Sequence, residues 1–243
     1  MTDLDERTQA KRAVGHAAVD RYVRSGMRIG LGTGSTAIWA IRRVGELIVD
    51  GTLQDIEAVP TSDASAAEAQ RCGITLTDLN QQPRLDLTID GADEVSPGLD
   101  LIKGGGGAHL REKVVAQASD RLIIVVDEAK LVPALGTTFA LPVEVVLMAE
   151  RPERDYLESL GATVTRRTTQ ELEPFVTDEG NHILDAAFGP IDDPYALAGR
   201  LEQRAGVVEH GLFLGMADVV LVAGTDPHAE IRAITRRDVT PAS

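Results

Sequence analysis

The chain has 243 residues, with 38 acidic against 24 basic side chains, a formal net charge of −14 and a hydrophobic share of 43%. These values indicate a globular protein of one or two domains, and the acidic balance argues against nucleic-acid binding and against docking on an anionic membrane. The amino terminus is charged and the longest aliphatic run covers only residues 122–126, so we expect a cytoplasmic protein without a membrane span. The single cysteine, Cys72, leads us to expect no intramolecular disulfide and no multi-cysteine metal site.

The first half of the chain alternates short aliphatic runs with helical patterns. Strands are predicted at 27–32, 56–59, 74–79, 85–89 and 122–126. Helices are predicted at 33–50, 61–71 and 108–119. This alternation predicts an α/β fold, a mainly parallel sheet with helices on both faces in a Rossmann-like arrangement.

The pattern changes near Pro142. Strands at 143–148 and 162–166, helices at 151–160 and 192–204, and a hairpin turn at 179–181 follow in the sequence. They are typical of the split β-α-β arrangement of a small α+β unit. Further strands are predicted at 207–213 and 219–222, the second returning to the main sheet. We therefore predict an α/β domain of residues 1–140 and 206–243 with an inserted α+β domain at 141–205.

The first segment that could bind a ligand is Gly30-Leu31-Gly32-Thr33-Gly34-Ser35-Thr36, between a predicted strand and helix. Glycines allow close approach of an anion, and a helix start offers free N–H groups and a positive dipole end. The segment suits a phosphate. It also half-resembles a dinucleotide-binding loop, but Ser35 replaces its third glycine and no acidic residue ends the next strand. A structural tight turn is the remaining reading.

The second segment is Asp90-Gly91-Ala92-Asp93-Glu94, at the carboxyl end of a predicted strand. Ligands of open α/β sheets bind at this edge, so the carboxylates are candidate ligand contacts. A solvated Asp-Gly turn is the plain alternative. Oxygen ligands also suit a hard cation, but we expect no metal because the chain lacks an EF-hand loop and paired histidines nearby.

The third segment is Lys103-Gly104-Gly105-Gly106-Gly107, followed by a predicted helix that carries His109 and Glu112. Four consecutive glycines are costly in chain entropy, which favours a backbone wrapped around an anionic ligand over a plain connection. Lysine is scarce here, with four lysines against 20 arginines, so Lys103 is a candidate for a role that needs a point charge. Taken singly, Glu112 and His109 are also compatible with surface or packing roles.

In this order, the three segments resemble the ribose-5-phosphate isomerase type A family. The pairing of DGADE with KGGGG and a glutamate nine residues after the lysine is highly specific. Supporting stretches cover nearly the whole chain: Lys11 to Gly15, Thr61 to Asp63, Val126 to Lys130, Leu141 to Val145 and Gly211 to Phe213.

The resemblance implies metal-free, cofactor-free interconversion of ribose 5-phosphate and ribulose 5-phosphate in the pentose phosphate pathway. It implies that Glu112 is the proton-transferring base and that Asp90, Asp93 and Lys103 surround the sugar hydroxyls and carbonyl. Substrate contacts are then expected at Thr33, Gly34, Ser35, Thr36, Gly91, Ala92, Gly104, Gly105, Gly106, Lys130 and Lys11. The resemblance also implies a homodimer or homotetramer.

The chemistry of an aldose–ketose isomerase agrees with these residue types. The reaction needs a base beside the carbonyl, donors for an enediolate oxygen and an anchor on the phosphate. Three other functions stay open. They are coenzyme A transfer with Glu112 as nucleophile, a sugar-phosphate sensor without catalysis, and, with less support, a nicotinamide-dependent dehydrogenase.

Overall fold

The computed structural model describes residues 5–224 and 230–238, which form six α-helices and fourteen β-strands. The helices are α1 Glu6–Tyr22, α2 Ala37–Val49, α3 Asp63–Arg71, α4 His109–Gln117, α5 Glu150–Ser159 and α6 Pro194–Leu201. The strands are β1 Arg28–Leu31, β2 Glu57–Pro60, β3 Thr75–Leu76, β4 Leu87–Asp90, β5 Glu94–Val95, β6 Leu101–Ile102, β7 Leu122–Asp127, β8 Leu141–Val145, β9 Thr163–Arg166, β10 His182–Ala187, β11 Val207–His210, β12 Leu212–Phe213, β13 Val219–Ala223 and β14 Arg232–Thr235.

The largest sheet has seven strands in the order β14-β13-β7-β4-β1-β2-β3. All neighbouring strands are parallel except β13 and β14. The predicted α/β class with a mainly parallel sheet is therefore confirmed.

Central strand β7 shows why this sheet is covered on both faces. Ile123 and Val125 belong to a core that includes apolar residues of α1, α2 and α3. Leu122, Ile124 and Val126 belong to a second core, which includes Ala116 of α4 and residues of β6 and β12. Successive side chains of a strand point to opposite faces, so a strand that is apolar at every position must be buried on both.

The second unit is a four-stranded antiparallel sheet in the order β11-β8-β10-β9. Strand β10 lies between β8 and β9, which is the predicted split β-α-β arrangement. Its core includes Leu157 of α5 and Leu201 of α6. Helix α6 starts at a capping residue, Asp193, whose side chain accepts the Ala196 N–H at 2.9 Å.

The prediction of one strand at 207–213 is wrong. Gly211 divides it, so that β11 pairs with β8 while β12 pairs with β6 in a separate three-stranded sheet, β12-β6-β5. Gly211 donates to Pro142 O at 2.8 Å and accepts from Lys103 N at 2.9 Å. A Cβ there would overlap Lys103 O, so only glycine fits. Strand β11 pairs with β8 of the four-stranded sheet although it lies beyond residue 205, the predicted end of the inserted domain.

Other differences are short strands. The predicted strand at 74–79 is reduced to Thr75–Leu76 at the edge of the sheet, and β5, β6 and β14 had no predicted counterpart. Within residues 5–224 and 230–238, no helix has the length and apolar character needed to cross a membrane.

Candidate active site

A pocket of about 200 Å³ lies where β1 and β4 end, at the carboxyl edge of the seven-stranded sheet. This is the edge at which open α/β sheets bind their ligands. The pocket is lined by Arg7, Lys11, Thr33, Gly34, Ser35, Thr36, Gly91, Ala92, Asp93, Lys103, Gly104, Gly105, Gly106, Glu112 and Lys130.

The first loop rests on Asp90 because Gly32 has no side chain. A Cβ at Gly32 would overlap the Asp90 carboxylate. Instead Asp90 Oδ1 accepts the Thr33 N–H at 3.0 Å. Hydroxyls also hold Thr33, whose Oγ1 lies 2.8 Å from both Thr61 Oγ1 and Ser62 Oγ. The loop that leads into α2 is therefore fixed by hydrogen bonds at both its backbone and its side chain.

Four cationic side chains line the pocket, and three of them form one cluster: Arg7, Lys11 and Lys130. Lys11 lies one turn after Arg7 on α1, and its Nζ donates to Ser35 Oγ at 2.8 Å. Burial, and then the charge of Arg7, lowers the pKa of the Lys11 ammonium. An anion would relieve this repulsion, and the adjacent start of α2 adds a positive dipole end. The cluster is a candidate phosphate site.

A second feature of the pocket is a buried cluster of charged side chains of both signs. Lys103 Nζ lies 3.0 Å from Asp90 Oδ2 and 3.3 Å from Glu112 Oε1, and these side chains are 2%, 1% and 5% exposed. Lys103 also donates to Gly91 O at 2.6 Å and lies over the Phe213 ring. Burial disfavours the charged lysine, but the carboxylates outweigh it and raise the pKa of Lys103. The lysine therefore stays a cation.

Glu112 is the carboxyl group in this cluster that is equipped to exchange a proton. Burial, and then the charge of Asp90, raises the pKa of Glu112 to about 8, while Lys103 opposes the rise. Its Oε2 is buried and has no hydrogen-bond partner within the described chain. A carboxyl group in a ligand pocket, with a pKa near neutrality and a free oxygen, has the properties of a general base.

Asp93 is tied to the glycine-rich loop. Its Oδ2 accepts the Gly105 N–H at 2.7 Å. A Cβ at Gly105 would lie only 2.5 Å from Asp93 Oδ1, and Gly104 has a φ of +103°, which disfavours a side chain. Gly104 is thus required by its backbone geometry and Gly105 by the close approach of the carboxylate.

His109, whose role the sequence left open, is the first residue of α4 and lies outside the pocket lining. It is fully buried, its Nε2 is 3.4 Å from Glu209 O, and it does not line the pocket. Burial, and then the charge of Lys113, lowers the pKa of His109 to about 3. His109 is therefore buried as a neutral imidazole outside the pocket lining.

The structure brings the predicted site residues together around this pocket, with Asp90 directly behind the lining. Arg7 was missed, although its spacing of four from Lys11 on a helix was an available signal. The hydroxyl cluster of Thr61 and Ser62 was also missed as part of the site, because its contact with Thr33 depends on the pairing of β1 with β2.

Within the described parts of the chain, no group of three histidine, cysteine, aspartate or glutamate side chains is arranged to hold a metal ion.

Comparison with known proteins gives one family. The model of the family "Ribose 5-phosphate isomerase A (phosphoriboisomerase A)" matches residues 57–227. Ribose-5-phosphate isomerase A of Chloroflexus aurantiacus is 54% identical over 219 residues, 90% of this chain and 92% of that protein. The protein of the same name from Desulfatibacillum aliphaticivorans is 53% identical over 223 residues, 92% of this chain and 96% of that one.

Solved structures agree with the sequence relatives. Ribose 5-phosphate isomerase from Plasmodium falciparum superimposes with a TM-score of 0.90 at 39% identity, covering 94% of this chain and 98% of that chain. A D-ribose-5-phosphate isomerase in complex with phospho-erythronic acid gives a TM-score of 0.89 at 35% identity, with coverage of 93% and 98%.

Proposed function

Because the chain belongs to the ribose 5-phosphate isomerase A family, we propose that it interconverts D-ribose 5-phosphate and D-ribulose 5-phosphate through an enediolate, with Glu112 as base. The observation that carries this proposal is the buried Glu112 carboxyl, with one oxygen 3.3 Å from Lys103 Nζ and the other without a partner. The four-carbon phospho-acid held by a solved relative carries a phosphate and a carboxylate. The cationic cluster and Lys103 offer partners for two such charges.

The phosphate would bind at Lys11, Lys130 and the loop before α2. This anchor would orient the sugar so that carbons 1 and 2 lie at Glu112, and binding energy far from the reacting atoms would lower the entropy cost of the reaction. Thr33, Gly34, Ser35 and Thr36 supply hydroxyl and backbone donors on the loop.

Ring opening comes first, because ribose 5-phosphate is mainly a furanose. We assign this step to Asp93 rather than Asp90. Asp93 lines the pocket, whereas Asp90 is buried and bound to Thr33, Gly91 and Lys103. Asp93 would move a proton between the anomeric hydroxyl and the ring oxygen. Asp90 would instead hold Lys103 and the first loop in place.

Glu112 then removes the proton from carbon 2 of the open aldose and returns it to carbon 1. The carbonyl oxygen gains negative charge in this step, and Lys103 would stabilise it. A well-placed donor in such a site contributes on the order of 3 kcal/mol. Moving the second proton between the two oxygens completes the ketose, so substrate and product have the same atoms.

Glu112→Gln tests the proposal. The amide keeps the shape but cannot accept the proton, so we expect kcat to fall by at least about 10²–10⁴-fold. Binding should remain, and is measured as a rise in melting temperature with ribose 5-phosphate. The control is Glu158→Gln, an exposed glutamate of α5, with unchanged kcat. Near-normal turnover of Glu112→Gln would contradict the assigned base.

The cytoplasmic location and the homodimer or homotetramer expected from the sequence stay predictions. Fractionation of cells tests the first, and sedimentation of the purified protein tests the second.

A further inference from the structure

A single guanidinium attaches the glycine-rich loop to the four-stranded sheet. Arg167, which directly follows β9, donates from Nη1 to Gly104 O at 2.6 Å and to Gly105 O at 3.3 Å. Its Nε donates to Asp185 Oδ2 on β10 at 2.9 Å, and its Nη2 bonds the other oxygen of the same carboxylate. The Arg167 side chain is only 13% exposed. The carboxylate therefore fixes the guanidinium, and the guanidinium holds the loop.

The carbonyl of Gly104 and the N–H of Gly105 belong to one peptide unit. Since a trans peptide is planar, these two groups point in opposite directions. The carbonyl faces Arg167, and the N–H donates to Asp93 Oδ2 at 2.7 Å. A cation on the oxygen and an anion on the N–H polarise the amide in the same sense, so each hydrogen bond strengthens the other.

We propose that Arg167 is a positioning residue of the isomerase: the Arg167 side chain orients the Asp93 carboxylate through the Gly104–Gly105 peptide unit. The inference rests on the proposed function, in which Asp93 opens the sugar ring. Arg167 does not line the pocket and so acts without touching substrate.

The loop needs such a support because its own sequence gives it little rigidity. Glycine backbones have more accessible conformations than those of other residues, and there is no side chain on Gly104 or Gly105 to hold the peptide. A lysine at position 167 would keep the positive charge. It lacks the planar guanidinium group, which donates to Asp185 and to the loop at the same time.

Arg167→Met tests the inference, with Arg166→Met as its matched control. Arg166 is the last residue of β9 and pairs at 3.5 Å with Glu150, away from the loop. We expect kcat/KM for ribose 5-phosphate to fall about 10- to 100-fold in Arg167→Met, the size expected from misplacing a catalytic group. Arg166→Met should retain wild-type kcat/KM. Arg167→Lys should lie between the wild type and Arg167→Met.

A double-mutant cycle separates positioning from stability. Each arginine variant is combined with Asp93→Asn and assayed at enzyme concentrations that make the slow background measurable. If Arg167 acts through Asp93, the Arg167→Met loss shrinks several-fold in the Asp93→Asn background. An equal loss in both backgrounds, or Arg167→Met activity equal to that of Arg166→Met, would overturn the inference. A wild-type protein that does not isomerise ribose 5-phosphate would instead overturn the proposed function.

Discussion

Glu112 is the residue whose ionisation would control the pH dependence of the reaction. The base must be ionised to accept a proton, and burial together with Asp90 raises its pKa to about 8. The carboxyl is therefore mostly protonated below that pH and mostly ionised above it. We expect kcat/KM to rise about tenfold per pH unit up to an apparent pKa near 8 and then to level off. A steady-state profile that is flat between about pH 6 and pH 9 would contradict this assignment.

Lys103 should affect both the rate and that profile. Burial raises the pKa of both Glu112 and Asp90, and the positive charge of Lys103 opposes that rise in each. Lys103→Met therefore should raise the apparent pKa of the profile and, by removing the enediolate partner, lower kcat about 10²–10³-fold. Lys103→Arg keeps the charge, so the apparent pKa of its pH profile should stay nearer to that of the wild type. Its kcat should remain low, because a planar guanidinium group must fit into a fully buried site. A Lys103→Met profile with an unshifted midpoint would show that the two groups are not coupled.

At the scale of the element, two helical glycines should respond to alanine in opposite ways. A Cβ at Gly199 in α6 meets no atom within 4 Å, whereas a Cβ at Gly45 in α2 would lie 2.6 Å from Cys72 Cβ. Gly199→Ala should stabilise the protein by about 0.5–1 kcal/mol, because alanine loses less backbone freedom on folding. Gly45→Ala should destabilise it by about 1–3 kcal/mol, because the helices α2 and α3 must move apart. Denaturant unfolding measures both, and a destabilised Gly199→Ala would contradict the packing described.

Elements with a strong local pattern were predictable from the sequence. The apolar strand β7 and the amphipathic helix α2 carry their pattern within a few residues. Two-residue strands β5 and β6 carry no such pattern, because each is defined by a partner distant in the chain. The break at Gly211 was missed for the same reason, since it depends on contacts with Pro142 and Lys103.

The residues of the candidate site also fall into those that the sequence predicted and those that it did not. Asp90, Lys103 and Glu112 lie in contiguous motifs, and they were identified because these motifs, in this order, resemble those of a known family. Arg167 lies in no motif, and its role depends on the register that places Asp185 beside it on β10. A sequence without an alignment contains no local signal for such a residue.

At the scale of the whole molecule, a net charge of −14 must be reconciled with binding of a phosphate dianion. The molecule gathers Arg7, Lys11 and Lys130 at one pocket and so creates local positive potential. Lys103 and loop donors could stabilise the enediolate without a metal. We therefore expect full activity after dialysis against excess chelator. Loss of kcat that added Mg²⁺, Mn²⁺ or Zn²⁺ restores would contradict a metal-free reaction.

The break at Gly211, between β11 and β12, has a consequence for synthesis of the protein. A nascent chain that has reached residue 205 already contains Asp90, Asp93, Lys103 and Glu112, yet it lacks β12, the partner of β6 beside Lys103. Contacts that span more than a hundred residues form late, since a long loop must close first. The ribosome must therefore synthesise the chain as far as Phe213 before Lys103 can reach its final position. A chain released earlier would contain Asp90, Asp93, Lys103 and Glu112 but would not have the arrangement of the complete site.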